Sequence, residues 1–223
     1  MGLKEKALDM IKNASYTALE MATTKINEEI NNQKQKEKKF IDEFPYKHKY
    51  LIKQNDTTSI DAFFFEILER DSYVIFNADN YPVYLAQGSV LFGKHCFTLT
   101  DTNKKVVAKI NKALVNVPIP LMKDRKSCSI ELSGETPFSM ETYESFKEDH
   151  YTISKTGFSI KSDSNNEFKI MEHKKKKPII HIHRVRSIET LLHDKYIVGF
   201  DDEASTVLAI AITIGLDAIR FSD

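Results

Sequence analysis

Tryptophan is absent from this 223-residue chain, and cysteine occurs only twice, as Cys96 and Cys128. A pair so sparse in so long a chain builds no disulfide framework. Each cysteine falls in a strand-like segment and reads as a free thiol packed as a small hydrophobe. Glycine is scarce at seven residues, which limits loops able to cradle a phosphate. No glycine-rich phosphate loop, G-x-S-x-G elbow, Cys–His signature or H-E-x-x-H occurs. An enzyme is therefore not the expectation, and no cofactor or metal is expected. Charge of one sign is missing as well: 32 basic and 32 acidic side chains cancel. Nucleic acid, which favours a basic domain, is thus not an expected partner. Long hydrophobic runs are also lacking. The residues from Thr206 to Leu216 carry no charge, but Asp217 and Arg220 follow at once, and a membrane span needs about 20 predominantly apolar residues. The opening MGLKEKALDMIKN has no continuous apolar core of a signal peptide. Gly2 is followed at position 6 by Lys, where N-myristoylation wants Ser or Thr. A cytoplasmic setting is expected.

What is present is an ordinary globular balance of 41% apolar and 29% charged residues. Residues 1 to about 40 carry a helical pattern. Leu3, Ala7, Met10, Ile11, Ala14, Ala18, Met21, Ala22 and Ile26 recur at spacings of three and four, making one narrow apolar stripe. Beyond it the sequence NEEINNQKQKEKKF turns polar, and Pro45 stops the helix. This amphipathic helix docks on its own domain, on a protein partner or second copy, or at a membrane interface. The division expected is 1–45 for the helical segment and 46–223 for a β domain.

From Tyr50 onward short strand-like pieces follow one another: 50–53, 73–76, 83–85, 97–100, 106–110, 127–132, 151–154, 158–161, 168–172, 178–186 and 196–200. The run DAFFFEILE, 61–69, is ambiguous between strand and helix; its three phenylalanines favour a strand buried on both faces. Asn77-Ala-Asp79-Asn80 and Asp101-Thr-Asn103-Lys104 are polar clusters between strands and predict two hairpins. Pro118 and Pro120 mark an extended connection or an edge. Many short strands with turn signals between them predict a barrel or sandwich and disfavour a doubly wound α/β fold.

The last segment holds a conflict. Leu208, Ile210, Ile212, Ile214 and Leu216 alternate with Ala209, Ala211, Thr213 and Gly215, a strand period. Against that, Asp201, Asp202 and Glu203 suit the positive end of a helix, with Asp202 or Ser205 as N-cap. The segment is also long for a strand and rich in alanine.

The stretches YVIFNADNYPVYLA, GKHCFTLTDTNKKVVAKI and KYIVGFDDEASTVLAIAITIGLDAI, in this order, resemble LURP-one-related proteins and the kindred phospholipid scramblase and Tubby C-terminal domains. The likeness spans about residues 46 to 220. It implies a mainly β fold, a closed antiparallel barrel of about twelve strands, wrapped around a hydrophobic central helix at 203–219. Tubby-type domains bind phosphoinositide headgroups through basic surface residues, and no residue here matches those one to one. Scramblases carry a proline-rich N-terminal region and a cysteine cluster, and this chain has neither. Their acidic calcium-linked segment corresponds to Asp201-Asp202-Glu203, which lacks the spaced oxygen ligands of a calcium loop and reads as helix capping.

Two sets of side chains remain as candidates. His181 and His183 share one face of a strand, with His173 across a turn; surface or structural histidines outweigh a zinc site, which takes three protein ligands when catalytic. Lys174, Lys175, Lys176 and Lys177, followed by Arg184 and Arg186, form the strongest local charge excess. Lysines at a hairpin tip are usually a solvated guard against edge pairing. The functional alternative is an anionic membrane surface, at roughly 1 kcal/mol per basic residue. The sequence thus predicts a non-enzymatic binding or scaffold module, with peripheral binding of anionic lipid headgroups as the rival.

Overall fold

The computed structural model describes residues 24, 28, 31–32, 35, 38–54, 72–91, 94–113, 125–144, 149–155, 157–164, 166–173, 175–185 and 195–220. The chain divides into two compact units, Met1–Glu43 and Phe44–Asp223. In the first, the described residues are helical through 43, with nearly all side chains exposed. Lys39 and Glu43 pair at 3.8 Å one helical turn apart. The apolar stripe from Leu3 to Ile26 lies outside the described residues.

The second unit is one antiparallel sheet of twelve strands. They are β1 (His48–Gln54), β2 (Tyr73–Asn77), β3 (Pro82–Leu91), β4 (Lys94–Asp101), β5 (Val106–Ala113), β6 (Arg125–Leu132), β7 (Phe138–Glu144), β8 (Asp149–Ile153), β9 (Phe158–Ser164), β10 (Glu167–Glu172), β11 (Ile180–Val185) and β12 (Lys195–Phe200). Their order is β8-β7-β6-β5-β4-β3-β2-β1-β12-β11-β10-β9. From β1 to β8 and from β9 to β12 each connection joins hydrogen-bonded neighbours; the β8–β9 connection instead joins the two ends of this order, while β12 pairs with β1. β8 also lies against β9, which curls the sheet into a nearly closed barrel.

Alternation explains which side chains fill it. Ile52, Ile75, Ala86, Leu99, Ile110, Ile130, Met140, Ile170, Ile182 and Val198 all join one buried cluster, one residue from each of ten strands. β7 was not foreseen. Phe138 and Met140 point into the core, yet the two Glu residues are poor strand formers and Thr142 is an inward polar residue, which masks the alternation. The run 61–69 and the prolines Pro118 and Pro120 lie outside the described residues.

The two predicted hairpin turns are built alike. Asn77 Oδ1 accepts from the N–H groups of Asp79 and Tyr81. Asp101 Oδ1 accepts in the same way from Asn103 and Lys105. In each, the fourth residue takes a left-handed conformation, Asn80 at φ 62° and Lys104 at φ 61°.

The last segment is a helix. A 3-10 turn, Glu203–Ser205, leads into an α-helix at Thr206–Arg220, three residues later than the expected start. Residues 208–219 are all buried, and the helix packs against β5, β6, β7 and β12. Its alternation of large and small residues reflects this all-round burial rather than a strand. At Gly215 an added Cβ would lie 2.9 Å from Met140 Cε and 3.0 Å from Cys128 Sγ, so any larger residue there must displace those side chains. Thr213 satisfies its buried hydroxyl by donating to Ala209 O at 2.8 Å.

Candidate functional site

Because strands alternate in direction, the turns after β2, β4, β6, β8 and β10 gather at one rim, where β12 also runs into the C-terminal helix. A cleft of about 330 Å³ opens at this rim. Its apolar part is Phe158, Pro178 and Ile179; around it stand Glu172, Lys175, Lys177, Asp201 and Asp202. Lys175 Nζ pairs with Glu172 Oε2 at 2.5 Å, and Asp201 Oδ1 accepts from the Lys47 N–H at 3.2 Å. The cleft is therefore mixed in charge, with Lys175 paired to a carboxylate rather than standing in an all-basic field.

The predicted basic set is divided. Lys175, Lys176 and Lys177 are exposed in the turn between β10 and β11, at the rim of the cleft. Arg184 sits near the far end of β11, half-buried, and its N–H donates to Asn166 O at 2.8 Å. Four residues separate it from the start of that strand, a climb of roughly 13 Å at strand rise. Lys174 and Arg186 lie outside the described residues.

His181 and His183 do share a face, and one carboxylate takes both. Glu167, on the adjacent β10 and in register opposite His183, bonds to His181 Nε2 through one oxygen and to His183 Nδ1 through the other. Burial alone would raise the Glu167 pKa, but the two imidazole hydrogen bonds outweigh it and hold it at about 2. As an ionised acceptor, Glu167 makes both ring nitrogens donors, fixing the two tautomers. Phe44 and Tyr46 lie on the His181 ring, with centroids 4.9 and 5.8 Å away. Gly199 beneath them leaves room: a Cβ there would fall 2.6 Å from each ring. His173 is exposed in the rim turn. Among the described residues, no group of three His, Cys, Asp or Glu side chains is arranged to hold a metal ion.

A second polar centre escaped sequence reading. Asp217, near the end of the C-terminal helix, is buried and accepts hydrogen bonds from the hydroxyls of Tyr73 on β2 and Tyr196 on β12. Its only sequence signal is a charge that ends an apolar run. Elsewhere, burial pushes the Cys128 thiol up to about 12. Burial also raises the Tyr46 and Tyr84 hydroxyls, reinforced by nearby acids. Each of these shifts moves a group away from neutrality, whereas a general acid or base works best with a pKa near the working pH.

No helix among the described residues is long and apolar enough to cross a membrane. No curated protein matches the sequence. An X-ray structure of a protein from Arabidopsis thaliana is similar at 11% sequence identity and a TM-score of 0.40, over 76% of this chain and 92% of that one. A family model described as LURP-one-related matches residues 63–217, a span running from before β2 into the C-terminal helix. The chain belongs to the LURP-one-related family.

Proposed function

We propose that this protein is a non-enzymatic binding or scaffold module, with the barrel drawn around its C-terminal helix as a plug and recognition carried by the outer rim. The observation that supports it is the burial of residues 208–219 in a helix packed against β5, β6, β7 and β12, which suits a plug in the space that an eight-or-more-stranded barrel can otherwise offer a ligand. The rim cleft, with Phe158, Pro178 and Ile179 between charges of both signs, suits a partner with an apolar contact and polar surroundings. The N-terminal helix serves assembly in this reading, through a protein partner or a second copy, in a cytoplasmic setting.

A second reading is favoured by the three exposed lysines Lys175, Lys176 and Lys177: peripheral attachment to anionic lipid headgroups. Glu172, Asp201 and Asp202 around the same cleft oppose it. Co-sedimentation with phosphatidylserine-containing and pure phosphatidylcholine vesicles separates the two. The scaffold reading expects equal, weak pelleting with both. Salt-sensitive pelleting with the anionic vesicles, abolished by changing Lys175, Lys176 and Lys177 together to Glu, establishes the second reading in its place.

A further inference from the structure

Neighbouring strands are joined by ladder hydrogen bonds all along the sheet, from β8 round to β9. Between the described residues of β8 and β9 there is contact but no ladder. Consecutive strands on so short a turn are ordinarily the easiest pair to close, because little chain entropy opposes it. Two sets of contacts draw this turn apart. On one side Ser154 is tied to β7: its N–H donates to Ser139 O at 2.8 Å, and its Oγ accepts from the Ser139 N–H at 2.7 Å. Lys155 follows, with Nζ 2.5 Å from Glu135 Oε2 and 5.2 Å from the centre of the Phe138 ring. On the other side Gly157, at φ +87°, offers its carbonyl to the His173 N–H at 2.6 Å, which ties the start of β9 to the β10–β11 turn. Among the described residues one main-chain bond, Phe158 N–H to Lys155 O at 3.2 Å, still bridges the arms.

Behind this seam apolar side chains pack the core. Tyr151 on β8, Ile160 on β9 and Phe168 on β10 are buried, with Tyr151 edge-on to Phe168 at 5.4 Å. The C-terminal helix packs chiefly on β5, β6, β7 and β12, so neither β8 nor β9 is among the strands that hold it most.

We propose that β8–β9 is a gate: β8 parts from β9 while the other strand pairs stay zipped, and the core behind Tyr151 and Ile160 becomes accessible. The same movement displaces Phe158, which begins β9 and lines the rim cleft. Opening at the seam therefore remodels the cleft. The gate stands whichever ligand the rim takes, since it rests on the hydrogen-bond pattern and not on the reading of function.

Thiol labelling tests it. Ile160→Cys and Leu132→Cys are compared in the full chain carrying Cys96→Ser; the two positions are similarly buried, at 9% and 6% exposure. The remaining thiol, Cys128, is buried and reacts too slowly to interfere. The gate expects Ile160→Cys to label at least about a hundredfold faster than Leu132→Cys under native conditions, through sub-global opening. Equal rates that follow global unfolding overturn it, as does labelling of Ile160→Cys at the rate of a free thiol, which means a permanent gap. Hydrogen exchange on the unsubstituted chain guards against damage by the substitutions. The Phe158 amide, which bonds across the seam to Lys155 O, is expected to exchange well before the ladder amides of β4 and β5, and equal protection of the two refutes the gate.

Discussion

Glu167 shows how much one carboxylate can organise when a sheet's register brings two rings to it. Its partners lie 14 and 16 residues away in sequence. The His-x-His spacing made the shared face of His181 and His183 legible, because strand side chains repeat every two residues. The acid between them was not legible, since a carboxylate on the next strand is found only once the pairing of β10 with β11 is known. The same limit hid Asp217, whose tyrosine partners come from β2 and β12. The pH consequence of Glu167 has a definite sign. Its pKa of about 2 in the fold lies below the ordinary 4.5, so its bonds add stability at every pH above about 4.5. That contribution fades as pH falls from about 4.5 towards 2. Glu167→Gln keeps the shape, removes the charge, and costs about 1 kcal/mol at neutral pH after solvent screening is allowed for. Urea unfolding along a pH series reads this directly: the variant and the parent should converge towards pH 2, and a difference that stays constant with pH refutes the assignment.

Elements repeat the lesson with backbone in place of side chains. The clusters 77–80 and 101–104 were readable as turns because Asn and Asp favour loops that cap their own main chain. What could not be read is that both turns use one design, with an Asx side chain at the first position accepting twice and a left-handed residue at the fourth. Lys104 is the less suited of the two left-handed residues, since a long side chain has no local bond to offset its crowded Cβ. Lys104→Gly removes that conflict, and the loss of helix or strand propensity does not matter in a turn. A gain of about 0.5–1 kcal/mol is expected, whereas Asp101→Ala, which deletes the double acceptor, is expected to cost about 1–2 kcal/mol. Thermal melts of the two variants should move in opposite directions; a downward shift for Lys104→Gly contradicts the account. β7 marks the opposite case, an element lost because FSMETYE mixes weak strand formers with a sound alternation of inward Phe138, Met140 and Thr142.

For the whole molecule, the C-terminal helix decides the architecture, and its sequence was the most legible and the most ambiguous stretch at once. A strand period and a helix dipole competed in one segment, and the period misled for a physical reason. A helix enclosed by strands on several sides must be apolar all round, and must be small wherever the sheet comes close, as at Gly215 against β6 and β7. Alternate large and small residues satisfy both demands without being a strand. The basic residues were less legible as a group: adjacency in sequence placed Arg184 with the lysines, but β11 carries it to the far end of the barrel. The helix gives the sharpest test of the fold. Ile212 is fully buried in the same cluster as Ile130, Val198 and Ile210. Ile212→Asp leaves an unpaired carboxylate among aliphatic side chains, a penalty of several kcal/mol, against a total stability of about 5–15 kcal/mol for a domain. It is expected to abolish cooperative folding, whereas Ile212→Val, which removes one methylene, is expected to cost only about 1 kcal/mol. Circular dichroism melts of both decide the matter: if Ile212→Asp is soluble and melts like the parent, the helix is not where the fold buries it.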